Sequence, residues 1–355
     1  MIHFDKSRMQ EALENHTLWW QGKLDRPLSY VRVVDAYPRV ENKYTHLTQA
    51  NCDDFSVDPE EYVRAVAASY ESYEFLGDSF PHFDLVQFGP GVLAPMLGSK
   101  LDTSSGRVWF FPNGDPEISE LHVKYDPNNM WSKRIKDIAK TALEYFDGSV
   151  LVGFPDFGGI LDIAASLIGT EKLLFATIEE PEEVKRLCDE IQVAWYDALA
   201  DFAELLKSQE CFTDWNHLVS KTPTHVIQCD FSTMISRDMF KEFVLEYLRL
   251  DTKKLEHEIY HLDGPGALMH LDDLLSLEKL SAIQWVYGAG APTAVHWTDV
   301  YKKIREAGKQ YQIKQVIEDP FEVYEVMKKV GGTPYLQLNL RKSDSDIMNK
   351  ILSYR

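Results

Sequence analysis

Cysteine is scarce. The chain has four in 355 residues, Cys52, Cys188, Cys211 and Cys229, spaced too widely for any CxxC pair. This spacing argues against a disulfide scaffold and a cysteine-rich zinc module, and fits free thiols in a reducing compartment. Positive charge is also short: 37 Lys and Arg face 56 Asp and Glu, a formal charge of −19, with no basic tract. Nucleic acid and anionic membrane both need clustered Lys and Arg, so neither is an expected partner. No apolar run is long enough to span a bilayer, and the N-terminal MIHFDKSRMQEALENHTLWW lacks the basic-then-apolar order of a secretory signal. A cytoplasmic protein is expected. No Pro/Gly/Ser-rich linker or charge block divides the chain, so residues 1–355 read as one domain. Hydrophobic residues make up 45% of the chain, ample for a core, and aromatic residues 12%, enough to wall a flat-sided pocket as well.

Periodicity and turn signals predict strands alternating with helices along the chain. A helix from Ser7 to Gln21 stops near Gly22, and Leu28–Val34 forms a first strand. After a loop at 35–57, Asp58-Pro59 opens a helix that Gly77 closes. A second strand, Phe83–Phe88, precedes an excursion to about Asn129. In it, Arg107–Phe111 and Ile118–Val123 flank the turn Pro112-Asn113-Gly114-Asp115-Pro116. This predicts a β-ribbon inserted after strand two, placed to overhang the mouth of a barrel as a lid. The other strands are Ser149–Phe154, Thr224–Asp230, Glu258–Leu262, Ala282–Val286, Gln310–Ile317 and Pro334–Leu340, with helices between and after them. Eight strands alternating with helices is the count of an α/β fold of the (β/α)8 TIM-barrel kind, here with an N-terminal helical extension.

The densest chemistry lies in Ile259 to Pro292, a βαβ unit. In barrels and doubly wound folds, reacting groups sit where strands end. His261 and Asp263 are two apart on a strand, so their side chains leave on one side and can converge on one ligand, proton or metal. Gln284, Trp285 and Tyr287 end the next strand, the last two either as core or, beside Gly288-Ala289-Gly290, as a stacking wall. Asp230 ends the fourth strand, and Asp156 lies in a Gly-rich turn where an acid serves equally as turn former or as substrate contact. As alternatives, His261 and Asp263 form a structural pair, and Glu318 places an acid at a helix N-terminus.

Several stretches recur in a family order: Arg26-Pro27 before strand one, Gly153 through Gly169, Glu180-Pro181-Glu182-Glu183-Val184, Cys229-Asp230 through Ser236, Phe-Lys-Glu-Phe at 240–243, and His261-Leu262-Asp263-Gly264. With these the chain resembles the uroporphyrinogen decarboxylase superfamily from about Arg26 to Leu352. The resemblance implies a (β/α)8 barrel with its site at the C-terminal mouth. The superfamily's decarboxylases carry Met-Arg-Gln-Ala-Gly-Arg after strand one, to receive a polyanionic porphyrinogen. Here the stretch is Val31-Arg32-Val33-Val34-Asp35-Ala36, leaving Arg32 as the basic contact for substrate. Their late Gly-His-Gly is replaced by Asn339-Leu340-Arg341.

The methylcobalamin:coenzyme M methyltransferase branch holds zinc with His-x-Cys-Gly and a later Cys. Asp263 stands in the first cysteine position and no cysteine follows Cys229. The resemblance therefore implies a nitrogen and oxygen site for zinc or another divalent metal, from His261, Asp263 and Glu318. Three functions follow. The first is a methyltransferase moving a methyl group between a small methylated substrate and a corrinoid carried on a separate partner protein, with His261, Asp263 and Asp230 as catalytic groups. The second is a decarboxylase-like lyase using Asp230 and His261 for protons without metal. The third is a carbohydrate-binding or glycoside-processing barrel. A homodimer is allowed.

Overall fold

The computed structural model describes residues 2–5, 7–314 and 319–354. Its strands, in chain order, are β1 (Leu28–Val33), β2 (Glu74–Gly77), β3 (His82–Phe83), β4 (Lys100–Asp102), β5 (Trp109–Phe111), β6 (Leu151–Val152), β7 (Phe212–Thr213), β8 (Val219–Ser220), β9 (Ile227–Gln228), β10 (Ile259–Asp263), β11 (Ala282–Val286), β12 (Gln310–Lys314) and β13 (Tyr335–Leu340). Seven join in one sheet, ordered β2-β1-β13-β12-β11-β10-β9. All neighbours in it run parallel except the β1–β2 edge pair. β3 and β6 form a separate parallel pair, and β4–β5 and β7–β8 are antiparallel hairpins. The fold is thus a mixed α/β arrangement around a parallel sheet. Among the described residues these ladders do not close into the expected eight-stranded barrel. The strands expected second, third and fourth are the short ones, two residues each, with the fourth reduced from 224–230 to Ile227–Gln228. β3 gives way to a 3-10 turn at Val86–Phe88, and β6 runs into Gly153 and Pro155, where the missing N–H ends a ladder.

Side-chain alternation sorts the sheet into two faces with different cores. Tyr260, Leu262, Ile283, Trp285, Ile313, Leu336 and Leu338 point into the main apolar core with the surrounding helices. On the opposite face Leu28, Tyr30, Ile259, Ala282 and Tyr335 make a second cluster with Trp19 and Trp20 of the helix Ser7–Trp20. That helix seats there through both indoles, since Trp19 Nε1 donates to the Thr333 carbonyl at 2.8 Å and Trp20 Nε1 to that of Val219 at 2.9 Å. Further along the strands the same face turns polar. His261 is in register with Gln228 and Gln284, and Gln284 with Gln312.

Three further expectations are corrected. Helix Pro59–Tyr70 ends before Gly77, and residues 74–77 pair instead with β1 as an antiparallel edge. Gly77 suits that contact, because a Cβ there would lie 2.5 Å from the Ser29 carbonyl. The second strand is His82–Phe83 and not Phe83–Phe88. The ribbon is real but pairs Lys100–Asp102 with Trp109–Phe111, and residues 118–123 form no strand. The hairpin β7–β8 is an addition that the sequence reading did not anticipate.

Candidate functional site

β10 delivers His261 and Asp263 to one face. The 3-10 turn Asp230–Met234, which follows β9, brings Asp230 to them. Their potential ligand atoms all lie within 4.8 Å of one another. Asp162 fixes the Asp230 turn, its two carboxylate oxygens accepting from the backbone N–H groups of Asp230 at 3.0 Å and Phe231 at 2.7 Å. The His261 ring is set by Gln284, whose Oε1 is 2.5 Å from Nδ1. The Gln284 amide nitrogen donates to Asn216 Oδ1 at 2.9 Å and Gln312 Oε1 at 2.8 Å, so its carbonyl is the end facing His261. Nδ1 therefore carries the proton, and Nε2 keeps its lone pair.

Three acids here are shifted toward the neutral form. Protein atoms packed around the Asp230 carboxyl raise its pKa. His261 opposes that shift and the charge of Asp263 adds to it. Burial and the Asp230 charge lift Asp162 to about 7. Burial lifts Asp156 to about 6 against the pull of His225, and Asp230 adds to the rise, which places Asp156 in the same electrostatic neighbourhood. Two carboxyls that repel while partly desolvated cannot both ionise freely, so this arrangement can store a proton near neutral pH.

The hairpin β7–β8 supplies residues that the sequence reading missed. Its turn holds Asp214, Trp215, Asn216 and His217, and His217 adopts a left-handed backbone, φ 62°. The Trp215 ring stands edge-on to His261 at 5.6 Å between centroids, and Lys314 Nζ sits 4.6 Å from the centre of the Trp215 ring. Burial lowers the Lys314 pKa while Asp84, Asp156, Asp214 and Asp263 pull it up. A second cluster, His82, Asp84 and His217, brings its ligand atoms within the same 4.8 Å limit. Burial holds His217 down at about 4, and the two imidazoles keep Asp84 well below the usual carboxylate range despite its own desolvation. The available sequence signal was the run Asp-Trp-Asn-His at 214–217, four chemistry-bearing residues in a row between a helix and a strand.

Of the expected site residues, His261, Asp263, Asp230 and Gln284 come together, and Asp156 lies near enough to interact with Asp230. Arg32 lies on the Asp84 side, in a cleft of about 310 Å³ that both residues line. Its Nε donates to Asn339 Oδ1 at 2.8 Å. The stacking wall does not face the cluster. Trp285 is buried on the other face of the sheet against Trp297, ring centroids 5.2 Å apart, and Tyr287 belongs to the main core. Alternation explains this, because Trp285 and Tyr287 have the opposite parity to Gln284. Trp215 is the aromatic group actually beside His261. Glu318 lies outside the described residues. The ribbon β4–β5 borders an open cleft of about 440 Å³ next to the cluster, lined by Trp109, Phe110, Asp162, Asp230, Phe231 and Met234 among others.

No family model and no curated protein matches the chain. Among solved structures, a methyltransferase from Methanosarcina mazei superposes with a TM-score of 0.62 over 96% of this chain and 98% of that one, at 11% sequence identity. At that identity the likeness is one of fold, shared along nearly the whole of both chains.

Proposed function

We propose that the chain is a methyltransferase of the (β/α)8 kind, acting on a small methylated substrate and passing its methyl group to a corrinoid on a separate protein. One observation carries this reading. The Gln284 carbonyl fixes the proton of His261 on Nδ1, which leaves the lone pair on Nε2, and a ring nitrogen of His261 lies within 4.8 Å of carboxylate oxygens of Asp230 and Asp263. This is how metal-ligating imidazoles are held, by a hydrogen bond from the other nitrogen. The donor set is the His261 imidazole and the Asp263 carboxylate, which suits zinc or another divalent transition metal, with Glu318 as a further candidate and Asp230 left free of the metal. Such a metal would polarise the heteroatom that carries the methyl group. Asp230, shifted toward its protonated form, can supply the proton which that heteroatom needs on departure. Trp215 and the ribbon side of the cleft would shield the methyl group from water.

The barrel reading draws support from backbone bonds beyond the ladders. The bond from Gly153 N to the Phe83 carbonyl at 3.1 Å extends the β3–β6 pair, that from Asp78 N to the Ser29 carbonyl at 2.8 Å extends the β1–β2 pair, and that from Phe154 N to the Thr213 carbonyl at 2.8 Å joins the end of β6 to the β7–β8 hairpin. A cytoplasmic location and a single domain belong to the same proposal. Among the described residues no helix is long and apolar enough to cross a membrane. A second reading, a metal-free lyase, is favoured by the proton-storing carboxyls Asp156, Asp162 and Asp230.

Elemental analysis of protein purified without chelator separates the two. His261→Ala and Asp263→Ala should each lose turnover and any metal held at the mouth while remaining folded, and Asp263→Cys should hold zinc there more firmly than wild type. Turnover that survives chelation, with zinc bound equally poorly by all four proteins, would refute the metal reading and leave the lyase.

A further inference from the structure

The second cluster has the makings of a metal centre of its own. His82 Nδ1 lies 3.0 Å from Asp84 Oδ1, and His217 Nε2 lies 3.2 Å from each Asp84 oxygen. Donors around a tetrahedral metal with bonds of ~2.0–2.1 Å stand about 3.3 Å apart, so these groups are already near ligand spacing. His82 is 2% exposed, yet neither ring nitrogen makes a well-formed hydrogen bond among the described residues. Its Nε2 backs onto Gly153, where a Cβ would lie 2.7 Å away, so Nδ1 is the nitrogen that faces the triad. A buried imidazole whose single close polar contact is this carboxylate, with a second imidazole on the same acid, leaves the arrangement short of partners unless something bridges the three.

A line of buried amides runs from this triad to the mouth. Gln337 Nε2 is 3.0 Å from His217 Nδ1. Gln312 Nε2 donates to Gln337 Oε1 at 3.4 Å and to Asn216 Oδ1 at 2.7 Å. Gln284 Nε2 donates to Gln312 Oε1, and Gln284 Oε1 meets His261 Nδ1. Every link points the same way. His217 therefore accepts at Nδ1 and carries its proton on Nε2, toward Asp84, while His261 carries its proton on Nδ1.

We infer that His82, Asp84 and His217 form a second divalent-cation site, of the two-imidazole, one-carboxylate kind, whose filling is coupled to the mouth cluster through Gln337, Gln312 and Gln284. Two nitrogens and one oxygen select a transition metal such as zinc, iron or cobalt over calcium or magnesium. For His217 to ligate through Nε2, its proton must move to Nδ1 and Gln337 must turn its carbonyl there. Gln312 and Gln284 must then turn in sequence, together with the Asn216 amide whose Oδ1 accepts from both, and His261 loses its acceptor. A line of three amides can offer a carbonyl to both imidazoles only if two NH2 groups meet inside the sheet, which leaves buried donors unsatisfied. The two sites therefore compete. The inner site stands without the proposed function, whereas the competition rests on that reading of His261.

Cobalt(II) titration followed by visible absorption, on the full chain, tests both parts. The variants are Asp263→Ala, Asp84→Asn, the pair combined, and Gln312→Met, with His217→Gln in reserve if Asp84→Asn unfolds by circular dichroism. The expected result is about one equivalent in wild type and in each single carboxylate variant, none in the combined variant, and two in Gln312→Met. Binding lost in Asp263→Ala but unchanged in Asp84→Asn would overturn the inner site and leave the mouth reading standing. Binding lost in Asp84→Asn but kept in Asp263→Ala would support the inner site and remove metal from the mouth. Gln312→Met holding no more metal than wild type would overturn the coupling.

Discussion

Glu258, the residue before β10, is fully buried, and neither carboxyl oxygen has a hydrogen-bond partner among the described residues. Burial raises its pKa to about 9, Asp251 adds to the rise, and Lys309 and Lys279 offset part of it. The unfolded chain releases that proton near pH ~4.3. Between that value and about 9 the folded state binds the extra proton, so this group makes the fold progressively less stable as pH rises through the window. Glu258→Gln keeps the shape and removes the titration. It should match wild type in thermal unfolding at pH 5 and exceed it at pH 8, by about 1–3 kcal/mol. Parallel Tm profiles for the two proteins from pH 5 to pH 8 would show that Glu258 ionises freely. Nothing in the sequence marks this residue. It opens an expected strand, and burial of a strand's first residue depends on what packs beneath the sheet.

Among the elements, the helix Ser7–Trp20 decides whether the polar face of the sheet has a floor. Trp19 is fully buried, its ring meets Tyr335 at 5.9 Å between centroids, and Trp20 stacks on His257 at 5.0 Å with an interplanar angle of 2°. Trp19→Ala should cost about 3–5 kcal/mol, read as a lowered urea midpoint, because it opens a cavity and strands the Thr333 carbonyl. This helix, those at Met130–Phe146 and Pro181–Leu206, and strands β1, β10, β11 and β13 were all legible, since each has a clear period or a clean start or stop signal. The hairpin β7–β8 was not. Each of its strands is two residues long, too short for alternation to register, yet it carries Trp215, Asn216 and His217. Strand parity correctly put His261 with Asp263. Applied to β11, the same rule sends Trp285 away from Gln284, which the reading of a stacking wall overlooked.

Across the whole molecule, sheet order follows chain order except at one seam, where the first strand lies beside the last. β1 pairs with β13, Leu28 opposite Tyr335, and the indole of Trp19 bonds a carbonyl 314 residues away. The alternation of strands and helices was readable without structure. The failure of the ladders to close around β3 and β6 was not, because it turns on where one two-residue strand gives way to a 3-10 turn and the other runs into Gly and Pro. A chain is made from its N-terminus, so β1 and the two tryptophans emerge long before the strand and the carbonyl they need. Through most of synthesis the first helix must wait with its apolar side unpaired, and the sheet lacks its central neighbour for β1. Chains ending before Tyr335 should accordingly show no cooperative unfolding transition and should bind a hydrophobic dye, whereas the full chain should do neither. A sharp transition in such a fragment would mean that the front of the molecule assembles alone. Otherwise the protein commits to its fold only as its last strand leaves the ribosome, and stalled or prematurely ended copies are left for proteases to remove.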